Sequence, residues 1–219
     1  MISKHPNETT LVEYVSGAMS TAPCISVTAH LKFCNQCSGT VEALGFLGGD
    51  LLESLEKEDV SEELFDKVME CIDKGTHATK LKEPARTIDP VASGLPEFVR
   101  NLLPAEELQW KNLTNGLEVA GISVGEKDYE LSLHRISPGG KAPEHKHSGT
   151  EITVVLRGSF SDEDGLYQPG DFLVRNKGDV HRPYAGRNEE CVCLSVLEAP
   201  IKLTGIRKVL NPFLSFSPS

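Results

Sequence analysis

The sequence predicts an α + β chain of two domains, a small helical one held by a bound metal and then a β-barrel. Three observations carry this expectation. Residues 1–89 are poor in strand signals and space their apolar residues as helices do, whereas residues 90–219 alternate apolar and polar residues between frequent turns. Charge divides at the same place, with 15 acidic and 8 basic side chains (net −7) in residues 1–89 and 17 and 14 (net −3) in residues 90–219. Metal-ligating residue types also fall into two groups, one with cysteines and one with histidines and a glutamate. The expected boundaries are 1–75 for the helical domain, 76–94 for a linker, and 95–219 for the β domain with a short leading helix.

In chain order, Asn7 suits the cap of a first helix whose apolar stripe is Leu11, Val12, Val15, Ala18 and Met19. Thr21 and Pro23 suit the start of a second helix, expected to run to about Leu47, where Gly48-Gly49 ends it. A third begins near Ser61 and places Leu64, Phe65, Val68, Cys71 and Ile72 on one side, with Gly75 as its C-terminal cap. Three short helices make a thin core, and domains of this size need a staple. Gly75 to Pro90 is polar, holds two prolines and has no period, as a linker does. Leu95 to Leu103 reads as a short amphipathic helix. Strands follow at Glu130–Ile136, Thr150–Arg157, Phe172–Arg175 and Cys191–Leu197, separated by Pro138-Gly139-Gly140, Asp164-Gly165 and Pro169-Gly170-Asp171. Many short strands with frequent turns point to a sandwich or barrel.

Composition narrows the function. The 219 residues are 39% hydrophobic and 25% charged, an ordinary globular balance. No apolar run reaches the roughly 18 residues of a membrane span. Met1-Ile2-Ser3-Lys4-His5-Pro6 lacks the apolar core of a secretory signal, so a cytoplasmic location is expected. A net charge of −10 argues against direct nucleic-acid binding, which rewards a basic face, and leaves room for a basic protein partner. Asp50 to Asp73 holds ten acids against only Lys57 and Lys67.

The first motif is His30-x3-Cys34-x2-Cys37, expected within the second helix, where spacings of four and three share a face. Four N/S ligands make a closed structural zinc site. His5 is the best fourth ligand, and Cys24 competes from about three turns earlier. A surface histidine with two core cysteines is the plain alternative, and a Cys34–Cys37 disulfide would constrain little. The second motif is His145-x-His147-x3-Glu151, with His181 later in the chain. On a strand the H-x-H pair faces one side. Three histidines and a carboxylate suit zinc or another divalent transition metal, and ligand types alone do not choose among them.

This second pattern resembles the two motifs of the cupin superfamily. The first motif matches in full. In the second, Asn176-Lys177-Gly178 stands where Pro-x-Gly is usual, and the turn glycine and His181 remain. The two halves together resemble the ChrR-type zinc anti-sigma factors, over nearly the whole chain. The resemblance rests on His5-Pro6, His30, Cys34 and Cys37, Trp110-Lys111-Asn112-Leu113, Pro143 to His147, Glu151 to Gly158, Phe160 to Gly165, His181-Arg182-Pro183 and Cys191-Val192-Cys193-Leu194. It implies that the N-terminal domain binds an extracytoplasmic-function sigma factor of the sigma-E kind and blocks its access to polymerase core. It further implies that His5, His30, Cys34 and Cys37 hold structural zinc, and that His145, His147, Glu151 and His181 hold the cupin metal. The cupin would then sense oxidative stress, such as singlet oxygen or organic peroxide, and release the sigma factor. A cupin-mediated homodimer is compatible with it.

An acidic helical inhibitor is electrostatically suited to a basic partner, and Leu51, Leu52, Leu55, Leu64, Phe65, Val68 and Met69 are the expected contacts. Cys191 and Cys193 share one strand face and are redox-sensing candidates; the alternative is two buried small hydrophobes. Cys71 reads as core, and Cys24 and His77 as local. The rival function is a dioxygenase-like cupin metalloenzyme acting on a small substrate, with Glu151 or Glu144 as acid–base groups. A closed four-ligand helical site has no catalytic use there, which disfavours it.

Overall fold

The computed structural model describes residues 2–74 and 89–205, together with Phe216 and Pro218. The expected Gly75 cap, His77 and most of the expected linker lie outside the described residues.

The chain begins with four helices: α1 (Glu8–Val15), α2 (Thr21–Leu31), α3 (Asn35–Glu53) and α4 (Glu62–Asp73). Asn7 caps α1 by accepting from the Thr10 N–H, and Ser61 caps α4 by accepting from the Leu64 N–H. The single long helix expected from Thr21 to about Leu47 is instead two. Lys32 closes α2, and the Cys34 Sγ accepts from the Cys37 N–H as the cap of α3. Gly48-Gly49 does not stop α3, which runs on to Glu53; with Phe46, Leu47, Leu51 and Leu52 around them, two glycines weaken a helix without ending it.

A 3-10 turn at Pro90–Ala92 and helix α5 (Glu97–Leu102) lead into the strands. Residues 89–94, expected at the end of the linker, are built into the fold: Val91 and Ala92 are buried, and the Asp89 carboxylate accepts from the Val91 and Leu108 N–H groups and the Trp110 indole. The strands are β1 (Lys111–Thr114), β2 (Leu117–Gly121), β3 (Glu130–Ile136), β4 (His145–Lys146), β5 (Glu151–Arg157), β6 (Phe160–Asp162), β7 (Gly165–Tyr167), β8 (Phe172–Arg175), β9 (Val180–His181), β10 (Tyr184–Ala185), β11 (Cys191–Leu197) and β12 (Lys202–Leu203). One antiparallel sheet has the order β1-β2-β3-β11-β5-β8, and two three-stranded sheets, β10-β6-β7 and β12-β4-β9, complete the β part.

Period-two alternation explains where each face goes. From β11, Val192, Leu194 and Val196 join a core with Val154 and Leu156 of β5 and with Ala22, Ile25, Val27 and Ala29 of α2. Cys191 and Cys193 face the other way, into a second cluster with Val155, Phe160 and Tyr167. All seven residues of β11 are therefore buried, one face under α2 and the other inside the β part. Burying a side chain such as Val27 or Leu194 contributes about 1.5–3 kcal/mol, so α2 is held by the sheet rather than by a thin helical core of its own.

Beyond Leu44 the helices lose this support. Phe46, Leu47, Leu51, Leu52 and Leu55 of the α3 end, and Leu64, Phe65, Val68, Met69 and Ile72 of α4, are all exposed, from 40% for Met69 to 71% for Leu52. The apolar stripe predicted for α4 exists, but no residue of that helix is buried. Cys71, expected in a core, is exposed for the same reason.

Candidate metal centres

The turn between α2 and α3 builds the first cluster. His30 sits at the end of α2, Cys34 is the cap of α3 and Cys37 lies in its first turn, so they meet across a helix break and not along one helix face. The chain just ahead of α1 brings in His5, whose Nδ1 lies 3.4 Å from the Sγ atoms of both Cys34 and Cys37. His30 is fully buried; its Nδ1–H donates to the Gly170 carbonyl at 2.6 Å, and its Nε2 makes no hydrogen bond. One ligand atom from each of His5, His30, Cys34 and Cys37 falls in a group whose members lie within 4.8 Å of one another. Cys24, the competitor for the fourth place, is not in that group. Burial lowers the proton affinity of His30, and burial followed by the neighbouring Cys34 pushes the Cys37 thiol up to about 11 when no cation is present. A neutral imidazole with an orphaned nitrogen beside two buried thiols is a donor set that fits a thiophilic divalent cation.

The second cluster comes from three places in the β part. His145 in β4 pairs across the ladder with His181 in β9, and Glu151 opens β5. His145 and His147 are buried while Lys146 between them is exposed, as expected of an H-x-H pair. The Nε2 atoms of His145 and His181 are 3.0 Å apart, and Glu151 Oε2 lies 3.5 Å from His147 Nε2 and 3.9 Å from His181 Nε2. The ligand atoms of all four residues again lie within 4.8 Å of one another. Both nitrogens of His147 are buried without a hydrogen bond, the orphaned state that a bound cation relieves.

Electrostatics prepare this site for a cation. Burial lowers the proton affinity of His145, and it brings His147 down to about 4, so both rings are neutral near pH 7. Burial works to raise the Glu151 carboxyl, but the surrounding His147, His145, His134 and His181 outweigh it and hold it near 2. The ligands are oriented by neighbours that the sequence did not name. His145 Nδ1–H donates to the Pro143 carbonyl at 2.9 Å, His181 Nδ1–H donates to Asp162 at 3.0 Å, and the Ser195 hydroxyl donates to Glu151 Oε1 at 2.8 Å. Arg175 in turn holds Asp162 at 2.6 Å. Asp162 lies in a motif already noted, but nothing in an acid-rich chain marks which Asp will meet which imidazole.

His145, Glu151 and His181 line a cavity of about 560 Å³ whose other walls include Leu113, Leu117, Ile136, Phe160 and Leu203. Cys193 also lines it. Its Sγ lies 3.6 Å from that of Cys191 on the same strand, so the two thiols share a face as the spacing implied. The contact with Cys191, with burial, pushes the Cys193 thiol well above its ordinary range.

Comparison with known proteins follows the same division. Residues 99–200 match the family described as the ChrR Cupin-like domain. The chain is 32% identical over 215 residues to the anti-sigma-E factor ChrR of Cereibacter sphaeroides, covering 97% of this chain and 98% of that protein. It is similar to the auxin-binding protein T85 of Nicotiana tabacum, at 38% identity over 125 residues, 49% of this chain and 66% of that one. Among solved structures it matches one from Rhodobacter sphaeroides, SigE in complex with the anti-sigma ChrR, at a TM-score of 0.74 and 29% identity over 90% of this chain and 100% of that one. No described helix is long and apolar enough to cross a membrane.

Proposed function

The chain belongs to the ChrR family of anti-sigma factors, and from that premise we propose that it binds an extracytoplasmic-function sigma factor of the sigma-E kind and keeps it from polymerase core. The observation that carries this reading is the uncovered apolar face of α3 and α4. Ten large apolar side chains there face solvent, and the same stretch holds the ten acids of Asp50 to Asp73. An apolar patch rimmed by acid fits a partner whose own apolar surface is framed by basic residues. Sigma factors are basic where they meet DNA and polymerase.

Residues 2–74 form the binding part and residues 89–205 the regulatory part. His5, His30, Cys34 and Cys37 would hold structural zinc: the 3.4 Å between His5 Nδ1 and each cysteine Sγ is close to the roughly 3.6 Å general for nitrogen and sulfur donors that share one zinc. His145, His147, Glu151 and His181 hold zinc or another divalent transition metal. When bound, that cation supplies a Lewis-acidic position facing the cavity. The chain's own residues do the rest, with Asp162 and Pro143 fixing the imidazoles, Ser195 fixing Glu151 and the apolar walls excluding water. Cys191 and Cys193 are the redox-sensing candidates: Cys193 lines the cavity and its Sγ is 3.6 Å from that of Cys191, so an organic peroxide bound there would take two electrons from the pair, giving a disulfide, an alcohol and water. Oxidation there would release the sigma factor.

The test is co-expression of the full chain with an extracytoplasmic-function sigma factor. A 1:1 complex is expected to co-purify and to be lost on Leu52→Asp with Phe65→Asp, with metal content unchanged. Failure of the parent chain to bind any such sigma factor, together with oxygen uptake on a small substrate, would replace this reading with the metalloenzyme. For sensing, Cys191→Ser with Cys193→Ser should block peroxide-induced release; unchanged release would remove the thiols from the mechanism.

A further inference from the structure

The N-terminal cluster takes its outer contacts from the other half of the protein. Gly170 and Asp171 lie at the turn into β8, about 130 residues beyond the cysteines, yet they touch both histidine arms of the cluster. Gly170 accepts from His30 Nδ1–H, which commits the other ring nitrogen to the cluster. Asp171 is 1% exposed, and its two oxygens divide their partners. Oδ2 accepts from the Gln168 N–H at 2.7 Å and so serves its own turn. Oδ1 accepts from the Ser3 N–H at 2.6 Å, the Lys4 N–H at 2.9 Å and the Ser3 hydroxyl at 3.3 Å. The Phe172 N–H then donates to the Lys4 carbonyl at 3.0 Å. The residues immediately ahead of His5 are thus pinned on both edges by one turn of the β part.

The fit is close as well as polar. Gly170 has φ +93°, and a Cβ there would lie 2.6 Å from the Phe33 Cβ and 2.7 Å from the Ile2 Cδ1. Phe33 stands between His30 and Cys34, and Ile2 stands ahead of His5, so the turn presses on the chain beside both ligand arms. A buried carboxylate that needed only to cap its own turn would use one oxygen. The other is spent entirely on the arm carrying His5, through hydrogen bonds to a charged acceptor, which are the stronger kind.

We propose that Asp171 is a positioning residue for the N-terminal metal site, holding the backbone of residues 3 and 4 so that His5 Nδ1 faces the two thiols. The proposal rests on the zinc reading of that site. It makes the β part a contributor to the metal affinity of the helical part.

The test uses the full chain loaded with Co²⁺. Of the two clusters found among the described residues, the N-terminal one alone contains cysteine, so the sulfur-to-cobalt charge-transfer band reports that site apart from the cupin site. Asp171→Ala should weaken metal binding there by about 10–100-fold in chelator competition. Its ligand-field bands should move toward those of a site in which water has replaced His5. Asp171→Asn keeps one oxygen for the Ser3 and Lys4 N–H groups but loses the charge and turns an amide N–H toward the Gln168 N–H, so it should retain clearly more of the parent spectrum and affinity than Asp171→Ala. A purely structural role for Asp171 would lower the thermal stability of both variants and leave the cobalt spectrum untouched, and that result would overturn the proposal. So would an Asn variant as weak as the Ala variant. A parent chain without any charge-transfer band would instead overturn the zinc reading, and this proposal with it.

Discussion

The two candidate metal centres of this molecule use different materials and face different surroundings. The first combines two thiols with two imidazoles at a helix break, and none of them lines the large cavity of the β part. The second combines three imidazoles with a carboxylate, and three of its ligands line a cavity of about 560 Å³. A closed ligand set stabilises a fold and offers no position to a third party, whereas an open one accepts a ligand. On the proposed reading, this difference gives holding to the first centre and responding to the second. It also shows that donor type alone is a poor guide, since both sites are mostly buried and both contain histidine.

The sharpest way to break this contrast is to remove a thiol. Cys37→Ser should release the N-terminal metal, detach α1 from α3 and abolish sigma-factor capture, because zinc binding of about 10 kcal/mol or more is folding free energy in small domains. Metal analysis and size-exclusion chromatography with the sigma factor would read this, and a variant that keeps the complex would make the first centre dispensable. At the second centre, Glu151→Ala should empty the cupin of metal yet leave the sigma complex intact, as judged by metal content and co-purification. Loss of the complex would mean that the second centre also holds the fold. A finer cut is Asp162→Asn, which removes the charged acceptor of His181 and should weaken cupin metal binding by about 10–100-fold in chelator titration.

The smallest effect is a pH dependence. In chelator-treated protein, burial holds His147 near 4 against an ordinary 6.5. The unfolded chain therefore binds this proton first on acidification, and stability present above pH 6.5 is lost as pH falls toward 4. The melting temperature should decline across that window, and His147→Gln should flatten the decline. An equal slope in the variant would assign the titration to another group.

Much of this was legible in the sequence, for identifiable reasons. The helical and β halves were separable because apolar period changes from 3.6 to 2, and β3, β5, β8 and β11 fell where alternation placed them. All eight ligand candidates come together because His, Cys and Glu at motif spacing carry chemistry that a random surface does not. The helix break at Lys32 to Cys34 was hidden, since a thiol caps a helix only when it is already held in place, and cysteine propensity does not announce that. Asp162, Ser195 and Asp171 were hidden for a different reason. Each acts across the fold, and sequence spacing contains no signal for a hydrogen bond between residues 3 and 171. The exposed faces of α3 and α4 looked like core because amphipathic period reports that a face will be covered, not by which chain.

The pinning of residues 3 and 4 by Asp171 also sets an order of events during synthesis. Their hydrogen bond spans 168 residues, so residues 3 and 4 wait for 168 further residues to be made before meeting their partner. At about 5–20 residues per second, that delay is roughly 8–34 s. A nascent chain presents residues 3 and 4 without the turn that pins them. Completion of the β part through Asp171 is therefore a condition for a fully pinned chain ahead of His5.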